Sequence, residues 1–344
     1  MSKNRVPTWL ALIILGAGGF VVSIFGLFAY MSLTAPSLHP DAPSVPSVMR
    51  SAPSPQWADA VKQGQAIARA SLAEQNLPGL SVAIGVGGDM VWAEGFGYAD
   101  LDQHTTVTPA TRFRIGAVSN ALTAAAVGLL LEKDKLRLDA EIQSYVPEFQ
   151  KKQWPVTLHH LMAQVGGVTT DGGDEAALAN AISDEGLPNR RCERTIDGFE
   201  MDNFATRDLL FEPGTQYRPS TYSWIVVSAA IESAAQQDFF PFMRSRLFEP
   251  LGMRDTLPDD ASQPIADRAT FYFPKFAGDT RYGPQSAREG DHSCYAGGGA
   301  FLSTPSDLVR FGMAITGNTF LQPATIKILQ AEQQLASGEQ TGYG

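Results

Sequence analysis

Hydrophobic spacing gives its strongest signal at the start of the chain. No charged residue occurs from Val6 to Pro40, and the densest part, WLALIILGAGGFVVSIFGLFAYMSL (9–33), is apolar over the length a bilayer requires. It is longer than a secretory h-region, and Pro36 follows Ala35 where an A-x-A site would stand. Residues 1–35 are therefore expected to be an uncleaved membrane anchor, with a cleaved signal peptide as the alternative. Lys3 and Arg5 precede the run, which puts the N-terminus in the cytoplasm and the rest on the periplasmic or extracytoplasmic side. TAPSLHPDAPSVPSVMRSAPSPQ (34–56) has no hydrophobic period and is rich in Pro, Ser and Ala, so 36–56 is expected to be an extended tether. The folded part then covers 57–344.

Inside that part, PQWADAVKQGQAIARASLAEQ spaces Trp57, Val61, Ile67 and Leu72 as one helix face. LSVAIGVGGDMVWAEGFGYADL alternates and turns at Gly87, Gly88 and Asp89, a β-hairpin. An Ala/Leu-rich helix follows from Ala117. VTLHHLMAQVGGV (156–168) is expected to be a short helix stopped at Gly166 and Gly167, and the polar stretch 169–203 a surface loop. LLFEPGTQYRPSTYSWIVVSAAIE (209–232) is a loop running into an apolar helix, and FMRSRLFEPLGM another helix closed by Pro250 and Gly252. CYAGGGAFLSTPSDLVRFG (294–312) gives a glycine-rich strand and then a helix capped by Thr304, with Pro305 in its first position and Asp307 in its third. A hairpin among many helices is an α/β (α+β) pattern.

Composition changes this picture little. With 44% hydrophobic and 18% charged residues the chain can bury a large core, and its net charge of −10 argues against a nucleic-acid partner. Cys192 and Cys294 are the only cysteines; they form a disulfide or two buried thiols, and the sequence leaves both open. The histidines read as solvated or packed: His39 in the tether, His104 in a turn, His159 and His160 on the short helix. DHSC (291–294) lacks paired ligand spacing, so no metal and no cofactor is expected.

The order of GFGYADL, FRIG with its helix, KLRLDAEIQSYVPEF, VTLHHLM, LLFEPGTQY, LFEPLGM and AGGGAFLSTPSDLVRFG resembles the class C β-lactamase, DD-peptidase and esterase superfamily of penicillin-recognising serine hydrolases. The resemblance runs from about Trp57 to the end. It implies an antiparallel sheet flanked by helices plus an all-helical lobe. It also implies an S-x-x-K pair at the helix entrance, the Ser attacking a carbonyl and the Lys handling its proton. The matching positions in GAVSN are Ala117 and Asn120. A methyl group cannot attack, and a carboxamide is no base at neutral pH. Ser119 lies about 200° around the helix from residue 117 and should face away. The second motif's tyrosine is replaced by Pro219 in YRPSTYSW, with Ser220, Thr221 and Tyr217 left as candidate substrate contacts. In LMAQVGGV, Gln164 and Gly166 stand where the family has His and Ser. A Lys- or His-Thr-Gly strand is expected beyond EQTGYG, so the C-terminal strands look missing and the hairpin should have an open edge and a bare apolar face.

Three functions follow as alternatives. The first is a pseudoenzyme, catalytically impaired, that binds peptidoglycan-like peptides or acyl ligands. The second is an active esterase, DD-peptidase or β-lactamase using displaced residues such as Ser119, Ser220 and Tyr217. The third is an inactive, truncated variant of such a hydrolase.

Overall fold

The computed structural model describes residues 8–35, 37–169, 192, 194–260, 262, 264–276, 278–287 and 290–343. In chain order its elements are α1 (Thr8–Thr34), β1 (Ser47–Met49), α2 (Ala58–Gln75), β2 (Gly79–Val86), β3 (Asp89–Asp100), β4 (Thr105–Thr106) and β5 (Phe113–Arg114). There follow α3 (Ser119–Leu131), α4 (Leu158–Met162), α5 (Thr221–Ala235), α6 (Phe239–Met243), β6 (Leu257–Pro258), β7 (Tyr272–Pro274), β8 (Pro284–Ser286), β9 (Phe301–Ser303), α7 (Pro305–Thr316) and α8 (Pro323–Leu329).

The alternating segment forms the β2–β3 hairpin, turning on Gly87 and Gly88 at φ 61° and 94°, backbone that a side chain would strain. One layer of the molecule is this antiparallel sheet, in the order β1–β3–β2 with β4 also on β3. Helix α2 buries Val61, Ala68 and Leu72 against Trp92 and Phe96 on one face. The other face is not bare, as the resemblance had suggested: α7 lies on it, with Val309 and Met313 so close to Gly85 that a Cβ there would collide. The outer edge of β2 pairs with no other strand among the described residues.

Part of the expected tether is integrated into this layer. β1 pairs Ser47 with Phe96 and Met49 with Glu94, Val45 is buried in the α2 cluster, and buried His39 hydrogen-bonds the Leu77 carbonyl at 3.1 Å. The expected anchor does form helix α1, but among the described residues no helix is long and apolar enough to cross a membrane. Near the end of α1 the Phe28 ring packs edge-on to Phe276 at 5.2 Å.

The second layer is helical. α3, α4, α5 and α6 enclose the main core, in which Leu122, Leu161, Ile225 and Met243 are fully buried. A small sheet, β5–β9–β6, joins the layers, Phe113 pairing with Ser303 and Leu257 with Leu302. α4 is only five residues and ends before Gly166, because Gln164 turns left-handed at φ 61°. α7 begins as its sequence requires, Thr304 Oγ accepting the Asp307 N–H at 3.3 Å. Cys192 and Cys294 are disulfide-bonded, resolving the open alternative. Most of the expected 169–203 loop lies outside the described residues; Thr195–Asn203 within it is a 3₁₀ run.

Candidate active site

The entrance to α3 is fixed from behind by β5. Ile115 N–H donates to the Phe301 carbonyl at 3.1 Å, and the Arg114 guanidinium is held by the buried Asp259 carboxylate. The other Asp259 oxygen faces Arg268 at 2.9 Å, and Arg114 lies 4.4 Å over the Phe271 ring. Burial, and after it the Arg114 and Arg268 cations alongside, push the His292 pKa down to about 3, so the imidazole is neutral. After Arg114 the chain takes one 3₁₀ turn, Gly116–Val118, before α3 proper starts at Ser119. The glycine-rich segment 293–298 closes the back. Thr123 Oγ donates to the Gly297 carbonyl at 3.1 Å, and Gly297 N–H donates to Ser228 Oγ at 2.9 Å, tying α3 to α5.

In front of this entrance lies a cavity of about 320 Å³ walled by α3, α4, α5 and the segment after α8. Ala117 and Asn120 both line it, together with His159, Trp224, Gln333 and Tyr343. The two positions that matter most by resemblance are thus on one wall, one turn apart. The rest of the wall is largely alanine, leucine and methionine.

Ser119 points the other way, as its place on the helix predicts. It is fully buried and its Oγ has no hydrogen-bond partner. Ser220 and Thr221, expected as substrate contacts, are absent from the described cavity lining, and so are Pro219 and Tyr217. Ser220 is held elsewhere: its Oγ donates to the Thr169 carbonyl at 2.6 Å, and its N–H donates to Gln164 Oε1 at 2.8 Å. Gln164, at the family's His position, also accepts the Arg218 N–H at 3.0 Å through its carbonyl, so it acts as the clamp of the 217–220 loop. Tyr217 is exposed and meets the cavity-lining Tyr343 ring to ring at 5.8 Å.

His159, Trp224, Gln333 and Tyr343 were not among the candidates from sequence. Tyr343 arrives by a fold-back that no local pattern announces, Leu335 N–H donating to the Glu339 carbonyl and Ala336 N–H to the Gly214 carbonyl, at 2.8 and 2.9 Å. Burial raises the Tyr343 pKa, and neighbouring Tyr217 adds to the rise, while the Asn120 amide and Trp224 N–H work against it. Its hydroxyl is therefore protonated at neutral pH. Burial lowers the His159 pKa and keeps that imidazole neutral. Asn120 Oδ1 is buried and accepts no hydrogen bond, an acceptor left open on the cavity wall. Cys294 of DHSC is spent in the disulfide, and no group of three metal-ligating side chains occurs among the described residues.

A family model described as Beta-lactamase matches residues 59–344. The chain belongs to this beta-lactamase family. Human "Serine beta-lactamase-like protein LACTB, mitochondrial" is 28% identical over 302 residues, which is 70% of this chain and 54% of that protein. The chain spans about half the length of such curated relatives. Among solved structures, the octameric penicillin-binding protein homologue from Pyrococcus abyssi superposes with a TM-score of 0.67 at 23% identity, covering 82% of this chain and 64% of that one. The D-alanine carboxypeptidase AmpC from Burkholderia cenocepacia gives 0.59 at 23% identity, covering 80% and 68%. At that identity the likeness is one of fold. The cavity at the start of α3 is where the motif resemblance puts the family's Ser and Lys, at Ala117 and Asn120.

Proposed function

We propose that this family member binds an acyl-bearing ligand in the α3 cavity without hydrolysing it. The observation that carries this reading is Ala117: a methyl group stands on the cavity wall where the resemblance requires the attacking hydroxyl, and Asn120 one turn later is no base. Displaced residues offer no substitute, since Ser119 is buried away from the cavity and Ser220 is engaged with Thr169. The protonated Tyr343 hydroxyl shares the cavity with a neutral His159 but makes no hydrogen bond to it among the described contacts.

An acyl ligand is favoured over a peptide by the walls. Alanine faces of α3 continue past Ala121, Ala124 and Leu329 into a second apolar groove of about 360 Å³ that shares those three residues with the first. Polar groups gather at one end, where Asn120 Oδ1 is free to accept from a ligand N–H or O–H. The Cys192–Cys294 bond supports a setting outside the reducing cytosol.

The test is intact mass after incubation with a penicillin and, separately, an activated phosphonate ester, alongside titration with fatty acids and N-acyl amino acids. Unmodified mass with saturable acyl binding is expected. A covalent adduct, or ester turnover above a sample with the cavity blocked by Ala121→Trp, would overturn the reading.

A further inference from the structure

A third cleft lies on the sheet side of the molecule and shares no lining residue with the α3 cavity. It measures about 240 Å³ and is lined by Arg50, Gly252, Arg254, Asp255 and Arg310. Three arginines around one small cleft are out of keeping with a chain that carries 26 basic and 36 acidic residues. Each stands on fixed backbone. Arg50 follows β1 and its N–H donates to the Ala93 carbonyl at 3.0 Å. Arg254 follows the turn in which Met253 N–H donates to the Phe248 carbonyl at 2.9 Å, and Arg310 is on α7.

The acidic neighbours are already committed. Asp307 accepts from Arg310 at 2.7 Å, from the Asp255 N–H at 2.8 Å and from Thr256 Oγ at 2.9 Å. Asp255 pairs with Arg112 at 2.8 Å. Four guanidinium groups therefore face two carboxylates, and among the described residues Arg50 and Arg254 have no carboxylate partner. Both are exposed at the rim of the cleft, with the half-buried Arg310 beside them.

We infer that this cleft is an anion site for a phosphate group, gripped by the Arg50 and Arg254 guanidiniums with Arg310 beside them. A phosphate dianion matches the two uncompensated charges, and its oxygens suit the planar donor fork of arginine. The chemistry is shared by free phosphates and by phospholipid headgroups.

The experiment uses the full chain in chloride buffer. Inorganic phosphate and pyrophosphate are titrated by calorimetry and thermal shift, and Arg50→Gln and Arg254→Gln are compared with the parent. Saturable binding is expected, weakened about tenfold by either substitution, the loss of a charge-assisted contact. Both arginines lie outside the ion pairs described, so the variants should keep the parent Tm in the absence of phosphate, which separates lost binding from lost folding. Arg254→Lys, which keeps charge without the fork, should fall between. Absence of saturable binding, or binding equal in parent and both glutamine variants, overturns the inference. Flotation with phosphatidylcholine vesicles, with and without phosphatidylglycerol, assigns the source. Extra binding to the anionic vesicles that the two variants lose identifies a headgroup; phosphate binding without that difference identifies a free phosphate.

Discussion

At the scale of single residues, the cavity wall carries Ala117 and Asn120 where the motif resemblance puts the family's reacting Ser and Lys. Restoring them should therefore need more than one change. Ala117→Ser alone is expected to stay unlabelled by penicillin in intact mass spectra, because Asn120 cannot take the proton. Ala117→Ser with Asn120→Lys and Pro219→Tyr should gain a covalent adduct, since such groups act as a unit and are worth orders of magnitude together. Gln164 gives a second expectation. Gln164→Ala removes the acceptor of a buried N–H at Ser220 and should cost about 1–3 kcal/mol in urea denaturation, loosening the 217–220 loop. The direction of Ser119 was legible in the sequence, because two residues of either α or 3₁₀ rotation carry it away from the side of residue 117. The place of Ser220 was not: its hydroxyl is turned to the Thr169 carbonyl by a tertiary contact, and Tyr343 reaches the cavity through hydrogen bonds to residues far from it in sequence.

At the scale of elements, those with a strong period or cap were legible and those defined by partners were not. α2, the β2–β3 hairpin and the Thr304 cap of α7 form as their patterns require. β1 is three residues long, too short to show alternation, and exists because β3 offers it an edge. α4 stops earlier than its glycines suggest, since the left-handed turn falls on Gln164. The junction of α3, α5 and the 293–298 segment depends on Gly297 having no side chain. A Cβ there would sit 2.2 Å from Thr123 Oγ1 and 2.6 Å from Ser228 Oγ. Gly297→Ala should accordingly destabilise the protein by about 2–4 kcal/mol, read from the denaturation midpoint, with the α3 cavity distorted as a result.

At the scale of the whole molecule, a covalent bond of long reach contributes to stability. Cys192 and Cys294 close a loop with a sequence separation of 102, which the chain-entropy account values at roughly 4–5 kcal/mol. Reduction, or Cys192→Ser with Cys294→Ser, should lower Tm markedly. Acid sensitivity is expected from His292, whose pKa falls from 6.5 to about 3 on folding. The unfolded chain takes up a proton below pH 6.5 that the folded one refuses until about pH 3. This contribution is complete above pH 6.5 and is lost as pH falls through that window, by an amount on the order of a few kcal/mol. His292→Gln should flatten the stability profile between those limits, and an unchanged slope would assign the acid loss to other groups. The pairing of β5 with β9 has a consequence for synthesis. Phe113 emerges from the ribosome long before Ser303, its partner, so the apolar α3 helix waits without the strand that fixes its start. Non-local closure of this kind is slow and leaves greasy surface exposed. Nascent chains of this protein should thus lean on holding chaperones until residue 303 is out, and a gene cut short of that codon should yield aggregate instead of a smaller soluble domain.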